Sequence, residues 1–358
     1  MAVHFHSLRI KQVKKETADC VSISFEVPDN LKPAFEFTQG QNITLKTTID
    51  GEELRRSYSI CSAPYENELK VAVKKVAGGK FSTYANEILS AGMQMDVLSP
   101  TGKFYTVLHP QNKKSYVAFA AGSGITPVLS IIKTALSQEP ASVFTLVYCN
   151  KNRQSIIFFE ELEALKNKYM HRFQFIPLLS RETTDNPAMT GRIDKNKLTT
   201  LGKLIDYNNT DEFFICGPEE MIFCVKDFLE QCGIEKKKIH FELFATTRIT
   251  KQYASEDKIS NPGQTKSSIQ LHADGHTMNF VMDFNGYTIL DAAIQLGAEL
   301  PFACKGGMCC TCKAKLLEGK VRMHVHWGLE DEEVEKGYIL TCQSHPLTEK
   351  VVVDFDAR

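Results

Sequence analysis

The sequence lacks a long hydrophobic run. None of its apolar stretches approaches the roughly 20 residues that a membrane-spanning helix requires. Its first residues, MAVHFHSLRIKQVKKET, lack the apolar core of a secretory signal peptide and already alternate like a strand. We therefore expect a cytoplasmic protein without a membrane partner. In that compartment the 11 cysteines indicate metal ligation or scattered core thiols rather than disulfide bonds.

The chain also lacks internal repeats, low-complexity tracts and a strong net charge. Its formal net charge is −1, and its 43% hydrophobic and 24% charged residues are typical of a globular protein. A chain of 358 residues should form two or three domains. Residues 267–358 contain 13 acidic and 8 basic side chains, or −5, so that the first 266 residues carry +4. This asymmetry favours electrostatic docking, although an ordinary solvated surface would also explain it. We predict no nucleic-acid partner.

The pattern of apolar residues divides the chain into blocks and predicts a multidomain protein. Residues 1–110 contain short alternating runs punctuated by Gly and Pro, which predict an antiparallel β-barrel. Residues 111–245 alternate strands with helices, which predicts an α/β domain with a parallel sheet. Residues 246–266 are polar and rich in turn residues, as a linker is. Residues 267–358 mix strands with the helix TILDAAIQL, which predicts an α+β, β-grasp-like domain.

Four cysteines indicate a metal centre in the last block. Cys304, Cys309 and Cys312 follow C-x4-C-x2-C, and Cys342 comes after 29 further residues. This is the plant-type [2Fe–2S] spacing, in which four thiolates balance the charge of two ferric ions and two sulfides. Four cysteines also suit zinc, but zinc sites usually show two C-x2-C pairs, and here the fourth cysteine stands alone. Cys310 falls outside the pattern.

Two motifs in the predicted barrel favour a nucleotide-like ligand. RRSYSICSAP contains Arg56, Tyr58 and Ser59, and an arginine can clamp a pyrophosphate while a tyrosine stacks on a flat ring. KKVAGGKFSTYA then places Gly79 and Ser82 at a predicted helix start, where backbone amides and the helix dipole favour an anion. Each motif is common by chance. Their order inside one barrel makes the combination informative.

The second block begins with a strand, a glycine turn and a helix in AFAAGSGITPVLSI. Gly122 and Gly124 resemble a dinucleotide-binding turn, but Pro127 replaces the third glycine of the usual fingerprint. No acidic residue follows the next strand to hold a ribose hydroxyl. The basic residues that follow, Lys151, Arg153 and Arg181, would suit the 2′-phosphate of NADPH, or else are exposed loop charges.

The motif FFICGP ends what we predict to be the last strand of that sheet. It places Cys216, Gly217 and Pro218 at the carboxyl end of the strand. Ligands gather at such ends in open α/β folds, so these three residues are candidates for the nucleotide site.

Taken in this order, the motifs resemble the ferredoxin–NADP reductase family with a fused plant-type ferredoxin. GEELRRSYSICS, ELKVAVKKVAGGKFSTYANE and GYILTCQSHP are similar to the reductase components of phenylacetyl-CoA (ring-1,2-) epoxidase systems. The resemblance covers nearly the whole chain. It implies an NAD(P)H:acceptor oxidoreductase that passes electrons from NADPH through FAD and a [2Fe–2S] cluster to the oxygenase component of a multicomponent di-iron system.

The resemblance also implies roles for individual residues. The residues implied at the catalytic centre are Tyr58, Ser59 and Thr126. Those implied to bind the flavin and its phosphates are Arg56, Tyr58, Ser59, Gly79, Lys80 and Ser82, with Glu242 and Phe244 closing the site. Those implied at the nicotinamide nucleotide are Gly122, Thr126, Pro127, Cys216, Gly217 and Pro218, with Arg181 on the 2′-phosphate.

Departures from the family pattern leave alternatives open. Cys149 stands where such families usually have glycine, and Lys151 stands where arginine is common, so NADH remains an alternative to NADPH. FMN remains an alternative to FAD. The acceptor can instead be another oxygenase, such as a ring-hydroxylating dioxygenase. A redox-sensing iron–sulfur module without turnover is the third interpretation. The sequence does not reveal the oligomeric state.

Overall fold

The computed structural model describes residues 4–183, 186, 189–244 and 266–357. They form two compact units, of which the larger holds residues 7–54 and 58–244 and the smaller is built mainly from residues 266–357. Within these described ranges no helix is long and apolar enough to cross a membrane. The predicted linker lies outside the described residues except for Lys266, which begins a strand. The three predicted boundaries, after residues 110, 245 and 266, stay predictions.

An antiparallel β-barrel forms the first half of the larger unit. Its elements are β1 (Phe5–Thr17), β2 (Cys20–Glu26), β3 (Asn42–Ile49), β4 (Glu52–Ser59), β5 (Leu69–Lys74), helix α1 (Lys80–Glu87) and β6 (Gln94–Leu98). The strand order is β4-β3-β6-β1-β2-β5. A bridge between Ile60, just after β4, and Val71 in β5 joins the two ends of this sheet. Closure buries the alternate apolar residues inside and confirms the predicted barrel.

A parallel sheet forms the second half of the larger unit and confirms the predicted α/β architecture. Its elements are β7 (Ser115–Ala121), α2 (Ile125–Gln138), β8 (Val143–Asn150), α3 (Phe159–Lys168), β9 (Phe173–Leu179), α4 (Lys195–Leu201), β10 (Glu212–Gly217), α5 (Glu219–Gln231) and β11 (Ile239–Leu243). The order β9-β8-β7-β10-β11 makes β7 the strand from which the chain winds first one way and then the other. Ligands bind beside such a strand, at the carboxyl ends.

Two details of this half differ from the sequence-based expectation. The prediction that β10 is the last strand was wrong, because β11 follows it and pairs with it in parallel. The three middle residues of β11 are half-exposed, so the strand shows no clear alternation. The run SIIFFEELEALKNKYM predicts a helix from Ser155, but helix α3 begins only at Phe159, because Phe158 adopts a left-handed conformation with φ 61°.

The two halves of the larger unit share one hydrophobic core. Cys61 and Ala72 of the barrel belong to the same buried cluster as Ile131 and Tyr148 of the parallel-sheet half. Because this cluster is continuous, the barrel and the parallel sheet hold a fixed orientation toward each other.

The smaller unit has the predicted α+β architecture. Its elements are β12 (Lys266–Ala273), β13 (His276–Asp283), α6 (Ile289–Gln295), β14 (Lys313–Glu318), β15 (Val321–Met323), α7 (Asp331–Glu335), β16 (Tyr338–Leu340), β17 (Ser344–Pro346) and β18 (Lys350–Asp354). The main sheet has the order β13-β12-β18-β14-β16, in which β12 and β18 are parallel and the other pairs antiparallel. Helix α6 packs Ile289 and Leu290 into the core with Ile269 and Val351, as a β-grasp helix does.

Candidate flavin, nucleotide and iron–sulfur sites

The two barrel motifs lie side by side, although about 20 residues separate them in the chain. The ring of Tyr58, on β4, lies 5.5 Å from that of Phe81 in the first turn of α1. Lys80, at the start of α1, pairs with Glu52 at the start of β4. Arg56 is exposed, and strand alternation places it on the same face of β4 as Tyr58. This face therefore suits a ligand that has both a flat ring and an anionic group.

The start of α1 offers backbone donors. Gly79 is the N-cap, and a Cβ atom there would lie 2.6 Å from the Ser82 hydroxyl oxygen, so a larger residue would displace this side chain. The Ser82 hydroxyl accepts from the Val76 amide at 3.0 Å and donates to the Gly79 carbonyl at 3.1 Å. The first-turn amides of a helix have no intrahelical acceptors, so they suit a phosphate. Lys80 adds an exposed positive charge.

The end of β4 is joined to β11. The Ser59 hydroxyl, which is almost fully buried, donates to Glu242 Oε2 at 2.8 Å. Phe244 follows β11 directly and is 36% exposed. The structure therefore brings Ser59 and Glu242 together, from positions 183 residues apart. Phe244 lies one residue beyond the strand that carries Glu242.

The carboxyl ends of β7 and β10 meet at the two glycine-containing turns. A Cβ atom on Gly124 would lie 2.0 Å from the Cys216 carbonyl oxygen. The Gly122 carbonyl, at φ 54°, accepts a hydrogen bond from the Tyr148 hydroxyl at 2.8 Å. Pro218 caps α5 immediately after Gly217. Dinucleotides bind at such a position in doubly wound sheets, so the crevice beside these turns is the candidate nucleotide site.

Thr126 and Pro127 lie in the first turn of α2 and are buried. The Thr126 hydroxyl donates to the Ser123 carbonyl at 3.0 Å, which holds its side chain toward the glycine turn. Burial raises the pKa of Cys216 well above its usual value, so this cysteine is a neutral thiol at neutral pH. It contributes shape to the crevice and no charge.

The basic residues proposed for a 2′-phosphate lie on adjacent segments. The Arg181 amide donates to the Lys151 carbonyl at 2.8 Å, and both side chains are exposed. The Arg153 amide donates to Glu182 Oε2 at 2.8 Å, and the Arg153 guanidinium lies 4.8 Å from the Phe159 ring centroid. Three cations and one carboxylate therefore share this edge. Cys149 lies nearby at the end of β8, where burial raises the pKa of its thiol.

The four predicted ligand cysteines come together as two pairs. Cys304 hydrogen-bonds Cys309, and this contact together with burial raises the pKa of Cys304 well above its usual value. The same contact lowers the pKa of Cys309. Cys312 hydrogen-bonds Cys342, which with burial raises the pKa of Cys342 well above its usual value. Added positive charge, such as that of bound iron, would lower the pKa of Cys304 and Cys342.

Two pairs of thiols suit two iron ions better than one zinc ion. Backbone amides also point at the sulfurs, since the Gly306 amide lies 3.3 Å from Cys304 Sγ and the Gly307 amide hydrogen-bonds the Cys342 sulfur. A Cβ on Gly307 would lie 2.7 Å from Val325 Cγ2, so this loop requires glycine. These features fit a [2Fe–2S] cluster.

Sequence reasoning missed Lys133. This lysine lies in the apolar helix α2, is only 2% exposed, and pairs with Glu66 and Glu161. A charged residue within a mostly apolar helix was the available signal, but its partners are far away in sequence.

Comparisons with known proteins match all three parts of the chain. Residues 7–105 match the oxidoreductase FAD-binding domain family, residues 119–227 the oxidoreductase NAD-binding domain family, and residues 271–347 the 2Fe-2S iron-sulfur cluster binding domain family. The fold is similar to that of phthalate dioxygenase reductase, with a TM-score of 0.59 and 23% identity over 98% of both chains.

Two similar proteins span almost the same length. The chain is 45% identical to a component of the 1,2-phenylacetyl-CoA epoxidase of Escherichia coli (strain K12), over 99% of this chain and 98% of that protein. It is 32% identical to the ferredoxin reductase component of 3-ketosteroid-9-alpha-monooxygenase from Rhodococcus rhodochrous, over 97% and 96%. The chain therefore belongs to the family of oxygenase reductase components, electron-transferring oxidoreductases that combine FAD-binding, NAD-binding and 2Fe-2S domains.

Proposed function

We propose that this reductase passes electrons from NADPH, through FAD and a [2Fe–2S] cluster, to the di-iron oxygenase component of a phenylacetyl-CoA 1,2-epoxidase in the cytoplasm. The observation that carries the choice of acceptor is the 45% identity to a component of such an epoxidase over nearly the full length of both chains. The identity to the ketosteroid monooxygenase reductase, at 32%, is lower.

The proposed chemistry divides between cofactors and protein. When bound, FAD takes up the electron pair of a nicotinamide hydride, and the [2Fe–2S] cluster takes single electrons. The protein positions these groups. Tyr58 offers a flat face, Arg56 and the amides at the start of α1 bind phosphate, and the Ser59–Glu242 hydrogen bond holds the end of β4.

The nucleotide crevice aligns its ligand through backbone shape. The close approach of Gly124 to Cys216 leaves room for a dinucleotide backbone, and Thr126 lies at the start of the helix beside it. Lys151 and Arg181 favour the 2′-phosphate of NADPH, and Glu182 on the same edge opposes it. The two cations outnumber the carboxylate, which is our reason for preferring NADPH to NADH.

A coupled assay tests the proposed acceptor. The purified reductase is mixed with the di-iron oxygenase of the same host, phenylacetyl-CoA, and either NADPH or NADH, and the epoxide is measured by mass spectrometry. We expect epoxide with NADPH and none when Cys304→Ser replaces the wild-type chain. Cytochrome c reduction in a parallel reaction shows whether the reductase is active.

The outcomes separate the competing functions. Cytochrome c reduction without epoxide would keep the reductase and reject this oxygenase as its acceptor. Failure of NADPH and of NADH to reduce the bound flavin would instead support a redox-sensing module without turnover.

A further inference from the structure

Lys133 is a buried cation that joins three parts of the larger unit. Its side chain is 3% exposed, and its Nζ lies 2.7 Å from Glu66 Oε2 and 2.8 Å from Glu161 Oε1. Lys133 lies on α2, Glu161 on α3, and Glu66 in the barrel half. Burying an ammonium group is unfavourable by several kcal/mol unless it is paired, so this geometry is maintained only while both carboxylates stay in place.

Lys133 shares a helix face with two other polar residues. Positions 126, 130 and 133 are four and seven residues apart, so they lie on one side of α2. The Ser130 hydroxyl donates to the Ser62 carbonyl of the barrel half at 2.6 Å. Thr126 lies at the start of the same face, about 10 Å along the helix axis from Lys133. We call Ser130, Lys133 and their barrel partners Ser62 and Glu66 the α2 seam.

The barrel side of the α2 seam is held by its own hydrogen bonds and directly follows β4. Glu66 Oε2 accepts from the Ala63 amide at 2.7 Å as well as from Lys133, so one carboxylate closes the turn and binds the helix. The Ser62 hydroxyl donates to the Glu68 carbonyl and accepts from the Lys70 amide at 3.2 Å. This turn begins three residues after Ser59, the buried end of the proposed flavin-binding strand.

We propose that Lys133 is a positioning residue that sets the distance and angle between the proposed flavin-binding strand and the nucleotide crevice. It acts by fixing α2, which starts at the crevice with Thr126, against the turn that follows β4. The inference rests on the proposed hydride transfer between a nicotinamide and FAD. Such a transfer depends on alignment, and a displacement of about 1 Å can slow a reaction about 100-fold.

The test compares three variants of the full-length chain. Lys133→Met removes the charge and keeps the side-chain length, Lys133→Arg restores a cation, and Lys226→Met is the matched control. Lys226 pairs with Glu230 within α5 and lies outside the proposed sites. Under anaerobic conditions, each protein is mixed rapidly with a series of NADPH concentrations, and flavin bleaching gives a limiting rate and a half-saturating concentration.

We expect Lys133→Met to lower the limiting rate at least tenfold while the half-saturating concentration changes less than threefold. Lys133→Arg should recover most of the rate, and Lys226→Met should match the wild type. A Lys133→Met protein that reduces its flavin at the wild-type rate would overturn the proposal. An equal loss in Lys226→Met would also overturn it, because the effect would then be general.

Amide hydrogen exchange tests the seam without turnover. In Lys133→Met, exchange should rise at residues 62–70 and 125–134 and stay unchanged in β1 and β2, whereas unchanged exchange across the seam would reject the proposal. If Lys133→Met does not fold, Glu66→Gln replaces it, because glutamine keeps an acceptor for the Ala63 amide. The limiting rate and the amide exchange should then change in the same directions but by less. Failure of NADPH to reduce the wild-type flavin would reject the proposed function, and the exchange result would still decide whether the seam exists.

Discussion

At the scale of single residues, Gly124 determines whether the crevice between β7 and β10 can form. Its backbone angles, φ −60° and ψ −9°, suit any residue, so the constraint is space and not conformation. A Cβ atom would lie 2.0 Å from the Cys216 carbonyl oxygen and 2.9 Å from the Gly217 amide nitrogen. Both are backbone atoms of a buried strand and its turn, which cannot move without separating the two strands.

We therefore expect Gly124→Ala to lower the free energy of unfolding by about 3 kcal/mol, as overpacking does, and to weaken NADP⁺ binding at least tenfold. Urea unfolding and titration of the flavin spectrum with NADP⁺ measure the two effects. Gly286→Ala is the control, because the nearest atom to a Cβ there is 3.5 Å away. If Gly124→Ala and Gly286→Ala have the same free energy of unfolding and the same affinity for NADP⁺, the prediction is wrong.

Cys310 allows a matched test of the cluster ligands, because it lies next to Cys309 but belongs to neither thiol pair. Its thiol donates to the Gly328 carbonyl, and burial raises its pKa to about 12. Cys304→Ser should lose most of its iron and acid-labile sulfide and keep its FAD, whereas Cys310→Ser should keep both. The measurements are iron, sulfide and flavin content of the purified proteins. Loss of iron in Cys310→Ser alone would reject the ligand assignment.

At the scale of secondary-structure elements, the end of α2 is held by one buried carboxylate, Glu139. It accepts hydrogen bonds from the His109 amide at 3.0 Å, Asn112 Nδ2 at 2.6 Å, the Tyr116 hydroxyl at 2.7 Å and the Ser142 hydroxyl at 2.7 Å. Burial by itself raises the pKa of Glu139, but these hydrogen bonds outweigh burial and lower the pKa below its usual value of 4.5. The carboxylate connects the end of α2 to the start of β7 and β8.

This contact predicts a loss of stability in acid. Because the pKa of Glu139 is lower in the folded chain than in the unfolded chain, its contribution is present above pH 4.5 and is lost as the pH falls below it. Glu139→Gln should lower the free energy of unfolding at pH 7 by about 2 kcal/mol. Below pH 4.5, the free energy of unfolding of this variant should depend less on pH than that of the wild type. Urea unfolding of the larger unit at several pH values measures both, with Glu163→Gln on α3 as the control. If the free energy of unfolding of Glu139→Gln falls as steeply in acid as that of the wild type, the prediction is wrong.

Which elements the sequence predicts depends on how strongly their pattern repeats. Strand β7 and helix α2 are buried along most of their length, and the runs SYVAFAA and TPVLSIIKTAL predict them to within two residues at each end. Strand β11 was missed because His240, Phe241 and Glu242 are all half-exposed, so neither helical nor strand periodicity is visible. The start of α3 was misplaced because no sequence pattern shows that Phe158 adopts a left-handed conformation.

At the scale of the whole molecule, charge is distributed unevenly, with −5 on residues 267–358 and +4 on the rest. If the acidic part meets the electron acceptor, association with a basic acceptor must be fast at low salt and screened at high salt. We expect the rate of cytochrome c reduction to fall about tenfold between 10 mM and 500 mM NaCl. Ferricyanide, which is anionic, provides the control, and the rate of its reduction should not fall as the salt concentration rises. Equal salt dependence for both acceptors would contradict electrostatic steering.

The order of blocks and the metal ligands could be predicted from the sequence, because each depends on local pattern or short spacing. The contacts that orient the blocks could not. Lys133 and Glu66 are 67 residues apart, and Ser59 and Glu242 are 183 apart. Nothing in either neighbourhood identifies the partner, since many lysines and glutamates could have paired. Such long-range polar contacts require the fold to be known first.

The pairing of Cys312 with Cys342 has a consequence for the lifetime of the protein. A group that binds both cysteines cross-links positions 30 residues apart, and a cross-link of this span removes about 4 kcal/mol of unfolded-chain entropy. The strands between them, β14 to β16, are short, so much of the order in this segment depends on that link. Chains made during iron starvation would open here more often and reach cellular proteases sooner. The abundance of the reductase would then follow the iron supply, without any dedicated regulator.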